Sequence, residues 1–146
     1  MVMAFKVNIA YNGKTYKVDT ENEDLVGHVI GDKVDGSLFS EDLSGYELEI
    51  TGTSDKSGFC GLSNINGPAL HRVLLSYETG MHKRPKKEGK KARTNKTPKG
   101  LRLRKTVRGK EISLETIQIN TKVSKEGKKK FEELFVVAED TSEKKE

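Results

Sequence analysis

The chain begins with a regular alternation of apolar and polar residues. Apolar side chains recur at every second position over residues 5–11, which places one apolar face on a β-strand. Asn12-Gly13 follows, and both residue types tolerate the positive φ angles of a two-residue type I′ turn. The alternation resumes over residues 14–18. This pattern predicts a β-hairpin spanning residues 5–18.

The same period of two recurs in two later stretches. Residues 46–50 alternate Tyr, Leu and Ile with two glutamates, and residues 117–123 alternate Ile and Val with Gln, Asn and Lys. Each stretch predicts a half-buried strand. The short apolar run at residues 69–77 fits either a strand or a short helix, because periodicity alone does not separate the two at this length.

Three other stretches carry weaker signals. Residues 24–39 have partly helical spacing weakened by two glycines, and residues 34–36 within them are typical of a turn. Residues 54–68 are rich in Gly and small polar side chains and predict a long ordered loop. Residues 128–137 favour a short helix whose large apolar side chains face inward.

Together these elements predict a mainly β fold, a small β-barrel-like domain or a sandwich, with a long basic loop and a short C-terminal helix or tail. Residues 3–81 and 101–136 form a single β-rich domain in this interpretation. Residues 82–100, named the basic arm from here on, lie within it, and residues 137–146 form a charged tail. With 146 residues, 33% of them hydrophobic, and no Trp, the core is expected to be small.

Positive charge is concentrated in one part of the chain. Residues 82–110 contain fourteen Lys and Arg and one acid, Glu88, and so carry +13, whereas the remainder has 13 positive and 21 negative residues and carries −8. Such a block of charge is typical of a segment that meets a polyanion. We therefore expect a polyanion, rather than the protein's own acids, to balance this charge.

The composition of the basic arm indicates how it would bind. Its largest apolar side chain is Ala92, so it buries too little surface to order itself and is expected to be mobile without its partner. Residues 82–110 also contain no aromatic side chain on which a base could stack. This favours contacts with the phosphate backbone and with RNA shape over the reading of single-stranded sequence.

The rest of the chain offers little catalytic chemistry. The three histidines are scattered, and Cys60 has no CxxC companion, so a zinc site is not expected. The glycine-containing loop at residues 52–61 lacks the spacing of a phosphate-binding loop. We predict no enzymatic activity, no cofactor and no small-molecule substrate. The lone cysteine favours a reducing compartment, and the absence of an apolar run of about 18 residues argues against a membrane span, so a cytoplasmic location is expected.

Four short motifs in a fixed order give the chain a resemblance to a known family. They are SDKSGF at 54–59, RVLLS at 72–76, RP at 84–85 and RKTVRG at 104–109. In this order they resemble the archaeal and eukaryotic small-subunit ribosomal protein number six of the e-type, in its short archaeal form. The resemblance covers about residues 3–125.

The resemblance implies a β-barrel-like body that binds small-subunit ribosomal RNA, with neighbouring ribosomal proteins as further partners and the ribosome as its location. Carried over by motif, the implied RNA contacts are Lys56, Arg84, Arg104, Lys105 and Arg108. The charge pattern adds further candidates within and beside the basic arm. These are His82, Lys83, Lys86, Lys87, Lys90, Lys91, Arg93, Lys96, Lys99 and Arg102.

Two other functions compete with a structural ribosomal protein. The first is an RNA-binding ribosome-assembly or translation factor that visits the subunit transiently, which composition does not distinguish from a permanent constituent. The second is a DNA-binding architectural protein. It ranks lower, because the sequence has no recognisable helix-turn-helix and no apolar wedge for a minor groove.

Overall fold

The structure is a computed structural model, and it describes residues 4–78, 81, 99–127, 131 and 134. Seven β-strands lie in these ranges. They are β1 (Phe5–Tyr11), β2 (Lys14–Thr20), β3 (Lys33–Asp35), β4 (Glu47–Asp55), β5 (Leu70–Ser76), β6 (Arg102–Arg108) and β7 (Thr116–Lys125). Three one-turn 3-10 helices lie between β2 and β4, at Glu23–Leu25, Gly36–Leu38 and Glu41–Leu43.

The strands form two sheets. The larger has five strands in the order β2-β1-β7-β4-β3, in which β1 and β7 are parallel and the other neighbours are antiparallel. The smaller is the antiparallel pair β5-β6. The predicted mainly β fold is therefore confirmed.

One face of the five-stranded sheet carries the core. Its central strands each direct apolar side chains to that face, as the period of two requires. The buried apolar residues contributed by these strands are Phe5, Val7 and Ile9 from β1, Leu48 and Ile50 from β4, and Ile119 from β7. The opposite face is polar, and there the side-chain amides of Asn8 and Gln118 both donate to Asn120 Oδ1 at 3.0 and 2.9 Å.

The sheets are not closed into a barrel. In the described part of the chain the edge strands β2 and β3 do not pair with each other, and β3 has only three residues. The apolar face is covered instead by side chains from the one-turn helices, the loops and the C-terminal region. These are Leu25, Phe39, Leu43, Ile112 and Phe131, all at most 4% exposed. The barrel-like closure expected from the strand count is thus replaced by an open sheet with an irregular cover.

The strongest sequence patterns correspond to strands. Residues 5–18 lie in the β1-β2 hairpin, where Tyr11 pairs with Lys14 across a two-residue turn and Asn12 has a φ of 47°. The stretch at 117–123 lies within β7, and most of the stretch at 46–50 lies within β4. The predictions of a hairpin and of two half-buried strands are confirmed.

The ambiguous stretches also have definite structures. The apolar run at 69–77 contains strand β5, not a helix. Residues 24–39 contain one-turn helices and strand β3, and Val34, expected in a turn, is a buried β3 residue. Asp35 then caps the next 3-10 helix, its Oδ1 accepting from Ser37 N at 3.2 Å.

The C-terminal region contributes one large core residue. Phe131 is helical and 1% exposed, and its ring lies 4.7, 5.1 and 5.5 Å from the rings of Tyr11, Tyr16 and Tyr46. Leu134 is also helical and packs against the core. Both residues agree with the predicted short helix. The charged tail and most of the basic arm lie outside the described residues, so the domain boundaries remain predictions.

Candidate nucleic-acid interface

Strands β5 and β6 place the basic arm at the end of a hairpin. Their register runs from Leu70 opposite Arg108 to Ser76 opposite Arg102, and Tyr77 N then donates to Leu101 O at 3.3 Å. The two strands are therefore joined by the segment that contains the arm. They contain five Lys and Arg and no acid.

The register assigns the side chains of this hairpin to two faces. Directly opposed residues lie on the same face of an antiparallel pair, and successive residues alternate. One face, named the arginine face, contains Arg72, Leu74, Ser76, Arg102, Arg104 and Thr106. The other contains His71, Val73, Leu75, Leu103, Lys105 and Val107.

The arginine face is the more exposed of the two. Arg72, Arg102 and Arg104 are all exposed, and Leu74 between them is 43% exposed. No described residue forms an ion pair or side-chain hydrogen bond with any of these three arginines. Val107 on the opposite face is only 7% exposed, so that face is partly covered by the protein.

Arg108 ends β6 in the opposite situation. Its side chain is 9% exposed, and Nε donates to Asp55 Oδ2 at 3.1 Å. Nη1 donates to the carbonyl oxygen of Pro68 at 2.8 Å, and Nη2 contacts both Asp55 and Glu115. The expectation that the protein's own acids do not balance the charge of residues 82–110 is wrong for Arg108, because Asp55 and Glu115 pair with it. The RNA contact predicted for Arg108 stays a prediction.

Asp55 is built to hold this buried charge. Its Oδ1 accepts from Ser57 N at 2.8 Å and from Phe59 N at 2.9 Å, which forms a tight turn directly after β4. Burial acts to raise the pKa of Asp55, but the hydrogen bonds from Phe59 N, Arg108 and Ser57 N outweigh it, so the pKa lies below its usual value. The carboxylate therefore stays ionised opposite Arg108.

The backbone at this base of the hairpin is closely packed. Arg108 N donates to Cys60 O at 2.8 Å, and Leu62 N donates to Arg108 O at 2.9 Å, so the loop after β4 lies along the end of β6. A side chain on Gly109 would collide with the carbonyl oxygen of Gly67. The SDKSGF loop and the RKTVRG motif thus meet in space at a closely packed junction between the two sheets.

The other predicted RNA contacts are placed as follows. Lys99 and Lys56 are exposed in turns that precede β6 and follow β4, and Lys105 is half-buried on the face opposite Arg104. The remaining predicted residues lie outside the described part of the chain. They are His82, Lys83, Arg84, Lys86, Lys87, Lys90, Lys91, Arg93 and Lys96.

Sequence reasoning singled out only two of the six members of the arginine face and missed Arg72, Leu74, Ser76 and Thr106. Arg72 and Leu74 belong to the RVLLS motif, which served only to identify the resemblance. The sequence did contain one indication: Arg72 and Leu74 are two residues apart in a run of strand length, and such residues lie on the same face of a strand. Pairing β5 with β6 was also needed, since only the register places Arg72 beside Arg104.

A groove at the opposite end of β4 is less suited to a polyanion. It has a volume of about 430 Å³ and is lined by Lys33, Tyr46, Glu47 and Lys125 among others. Both lysines pair with Glu47, at 3.2 and 2.7 Å. Hydrogen bonds from Lys125 and then Lys33 lower the pKa of Glu47, so the groove's positive charges already have a counterion.

No group of three or more His, Cys, Asp and Glu side chains among the described residues is arranged to hold a metal ion. None of the helices in that part of the chain has the length and apolar character that crossing a membrane requires.

Comparison with known proteins agrees with the motifs. The model of a protein family described as "Ribosomal protein S6e" matches residues 3–136. Among curated proteins, the chain is similar to one from Methanococcus maripaludis strain C7, with 43% identity over 127 residues, which cover 86% of this chain and 90% of the relative.

Two further relatives extend the match to almost the whole chain. One from Methanothermobacter thermautotrophicus is 40% identical over 136 residues, or 91% of this chain and 96% of the relative. One from Methanosphaera stadtmanae is 35% identical over 144 residues, or 97% and 99%. All three relatives carry the name "Small ribosomal subunit protein eS6", and all three organisms are archaea.

Proposed function

Because the chain belongs to the ribosomal protein S6e family, we propose that it is a structural constituent of the small ribosomal subunit. In this role it binds ribosomal RNA through the basic arm and the adjoining strand β6, and it acts in translation on cytoplasmic ribosomes. Other small-subunit proteins are its neighbours. Membership of a family of ribosomal proteins agrees with the expectation that the chain is a structural protein and not an enzyme.

The observation that carries this proposal is the charge at the end of the β5-β6 hairpin. Arg102 and Arg104 are exposed there without a described acid partner, and the arm between the strands contains nine Lys and Arg and one acid. Lys and Arg neutralise phosphates and release condensed counterions, which supplies most of the affinity for a nucleic-acid backbone. Lys56 and Lys105 add positive charge at the edge of this RNA-binding surface. Arg108 is not proposed as an RNA contact, because Asp55 and Glu115 neutralise it within the protein.

Co-sedimentation tests the proposal directly. A tagged copy of the protein, expressed in a related archaeon, is expected to migrate with small subunits through a gradient at moderate salt. Recovery only from the soluble fraction would contradict the assignment. Stoichiometry distinguishes a structural protein from a transient assembly or translation factor. A permanent constituent is present at one copy per mature subunit, whereas a transient factor is depleted from mature subunits.

The role of the basic arm is tested with two triple variants of equal charge change. The arm variant is Lys86→Gln, Lys87→Gln and Lys90→Gln. The control is Lys6→Gln, Lys14→Gln and Lys17→Gln, three exposed lysines of the β1-β2 hairpin.

Loss of three phosphate contacts is expected to lower the slope of log affinity against log salt by about 2–3 for ribosomal RNA fragments. The control is expected to leave the slope nearly unchanged. Equal slopes for the two variants would mean that the arm does not provide the contact. Stronger binding to duplex DNA than to folded ribosomal RNA at matched salt would favour the architectural DNA-binding alternative instead.

A further inference from the structure

The arginine face of the β5-β6 hairpin has a regular arrangement of charge. Arg102 and Arg104 are two residues apart on one strand, so their Cα atoms are separated by about 6.8 Å. Leu74 lies opposite Arg104, which makes Arg72 the diagonal neighbour of Arg104 at about 7–8 Å. The Cα atoms of the three arginines thus follow one another at similar spacing along a two-stranded ribbon.

These three cations are available to a partner. All three side chains are exposed, and they have no ion pair or hydrogen bond with any residue in the described ranges. Arg108 extends the same face but is enclosed by acids of the chain. Among the described residues, acids therefore neutralise the arginine at the base of β6, and the three arginines further along the hairpin have no acid partner.

The chemistry of the face indicates which form of RNA it fits. It carries no aromatic side chain, although single-stranded RNA is bound largely by stacking bases on aromatic rings. The hydroxyls of Ser76 and Thr106 lie among the arginines, and the side chain of Leu74 is 43% exposed. Double-helical RNA presents phosphates and 2′-hydroxyls across a wide, shallow minor groove, and these are the groups that guanidinium and hydroxyl groups bind.

We propose that the arginine face is a docking surface for double-helical RNA, with Arg72 and Leu74 as members beside Arg102 and Arg104. The guanidinium groups contact phosphates along and across the minor groove, and Leu74 packs against the ribose edge between them. The arm contributes charge without regard to RNA structure, while this face adds the preference for a helix. The inference rests on the proposed function, because it requires that the protein binds RNA at all.

The test measures binding of the full chain to two RNAs of equal length, a stable hairpin duplex and an unstructured single strand, across a salt series. The variant is Arg72→Gln. The control is Lys17→Gln, which removes one exposed positive charge from β2. Thermal unfolding of both variants verifies that each one folds.

Arg72→Gln is expected to weaken duplex binding by about 3- to 10-fold and to lower the salt slope by about one, with a smaller loss for the single strand. Lys17→Gln is expected to change either affinity by less than about twofold. If the wild-type protein binds neither RNA, the proposed function itself fails. If it binds both but Arg72→Gln behaves like Lys17→Gln, or weakens only single-strand binding, the docking surface is overturned while RNA binding by the arm survives.

Discussion

Arg104 and Arg108 lie four residues apart on the same face of strand β6, yet their guanidinium groups have opposite surroundings. Arg104 is exposed and has no acid partner among the described residues, whereas Arg108 is 7% exposed and contacts Asp55, Glu115 and the carbonyl of Pro68. One short basic motif therefore contains a residue that serves the fold and a residue that is free to meet a partner.

The local density of charge in the sequence does not show which arginine is neutralised within the fold. Both arginines sit in the same +13 stretch, and the counterions of Arg108 come from positions 53 residues before and 7 residues after it. A buried ion pair is expensive to form and is tolerated only where hydrogen bonds satisfy both partners. At the base of the hairpin, hydrogen bonds satisfy both Asp55 and Arg108, so Arg108 can be buried there.

Replacing the two arginines separately is expected to give the largest contrast. Arg108→Met leaves Asp55 buried without its cation and is expected to lower the free energy of unfolding by about 3–5 kcal/mol. Arg104→Met, the matched control at an exposed site, is expected to change it by less than about 0.5 kcal/mol. Urea unfolding followed by circular dichroism measures both, and equal losses would remove the distinction between the two ends of the strand.

Changing the acid partner adds a pH signature to the comparison. Asp55→Asn is expected to cost about 1.5–3 kcal/mol at neutral pH, because charged hydrogen bonds are lost. The pKa of Asp55 is lowered in the folded protein from its usual 3.8, so its contribution is fully present above that value and is lost as the pH falls through the folded pKa.

The free energies of unfolding of the wild type and of Asp55→Asn are therefore expected to differ fully above about pH 3.8, to approach each other as the pH falls below that value, and to be closest below the folded pKa of Asp55. Asp19→Asn, which alters an exposed carboxylate on β2, is the control and is expected to change stability at pH 7 by less than about 0.5 kcal/mol. A constant difference between wild type and Asp55→Asn at every pH would show that the side-chain shape, not its charge, matters.

The sequence was most informative where a single physical requirement dominates. A strand with one buried face must alternate, so residues 5–18 and 117–123 were assigned correctly, and the Asn12-Gly13 turn set the hairpin register. Closure of the sheet was not predictable in this way. It depends on whether the edge strands meet, and here a three-residue β3 and an irregular cover that includes Phe131 leave the sheet open.

The sequence predicted the positive charge of the candidate site, but not which of its basic residues are exposed to a partner and which are neutralised within the fold. Composition located the basic segment, and the family resemblance then implied the same role for Arg104, Lys105 and Arg108. Separating them required the β5-β6 register, which puts Lys105 on the opposite face from Arg104, and the fold of the loop that brings Asp55 to Arg108. Both are long-range facts that no window of sequence contains.

The close packing at the base of the hairpin gives a third test. Gly109→Ala inserts a methyl group against the Gly67 carbonyl, and the backbone shift that follows is expected to cost about 1–3 kcal/mol. Gly52→Ala is the control, because its added methyl group would meet nothing closer than the Asn120 side chain at 4.0 Å. A thermal midpoint for Gly109→Ala equal to that of Gly52→Ala would mean that the junction is loose enough to accommodate a side chain.

The smallest expected effect compares two neighbours on β6 that face opposite ways. Arg104→Gln is expected to weaken binding to a ribosomal RNA helix by about 3- to 10-fold and to lower the salt slope by about one, because it removes one phosphate contact. Lys105→Gln removes the same charge from the half-buried face and is expected to change affinity by less than about twofold. Equal losses would mean that RNA encloses both faces of the hairpin. A larger loss for Lys105→Gln would mean that RNA contacts the half-buried face and not the arginine face. An unequal loss identifies the contacting face, because the loss of long-range attraction alone would weaken binding equally at the two positions.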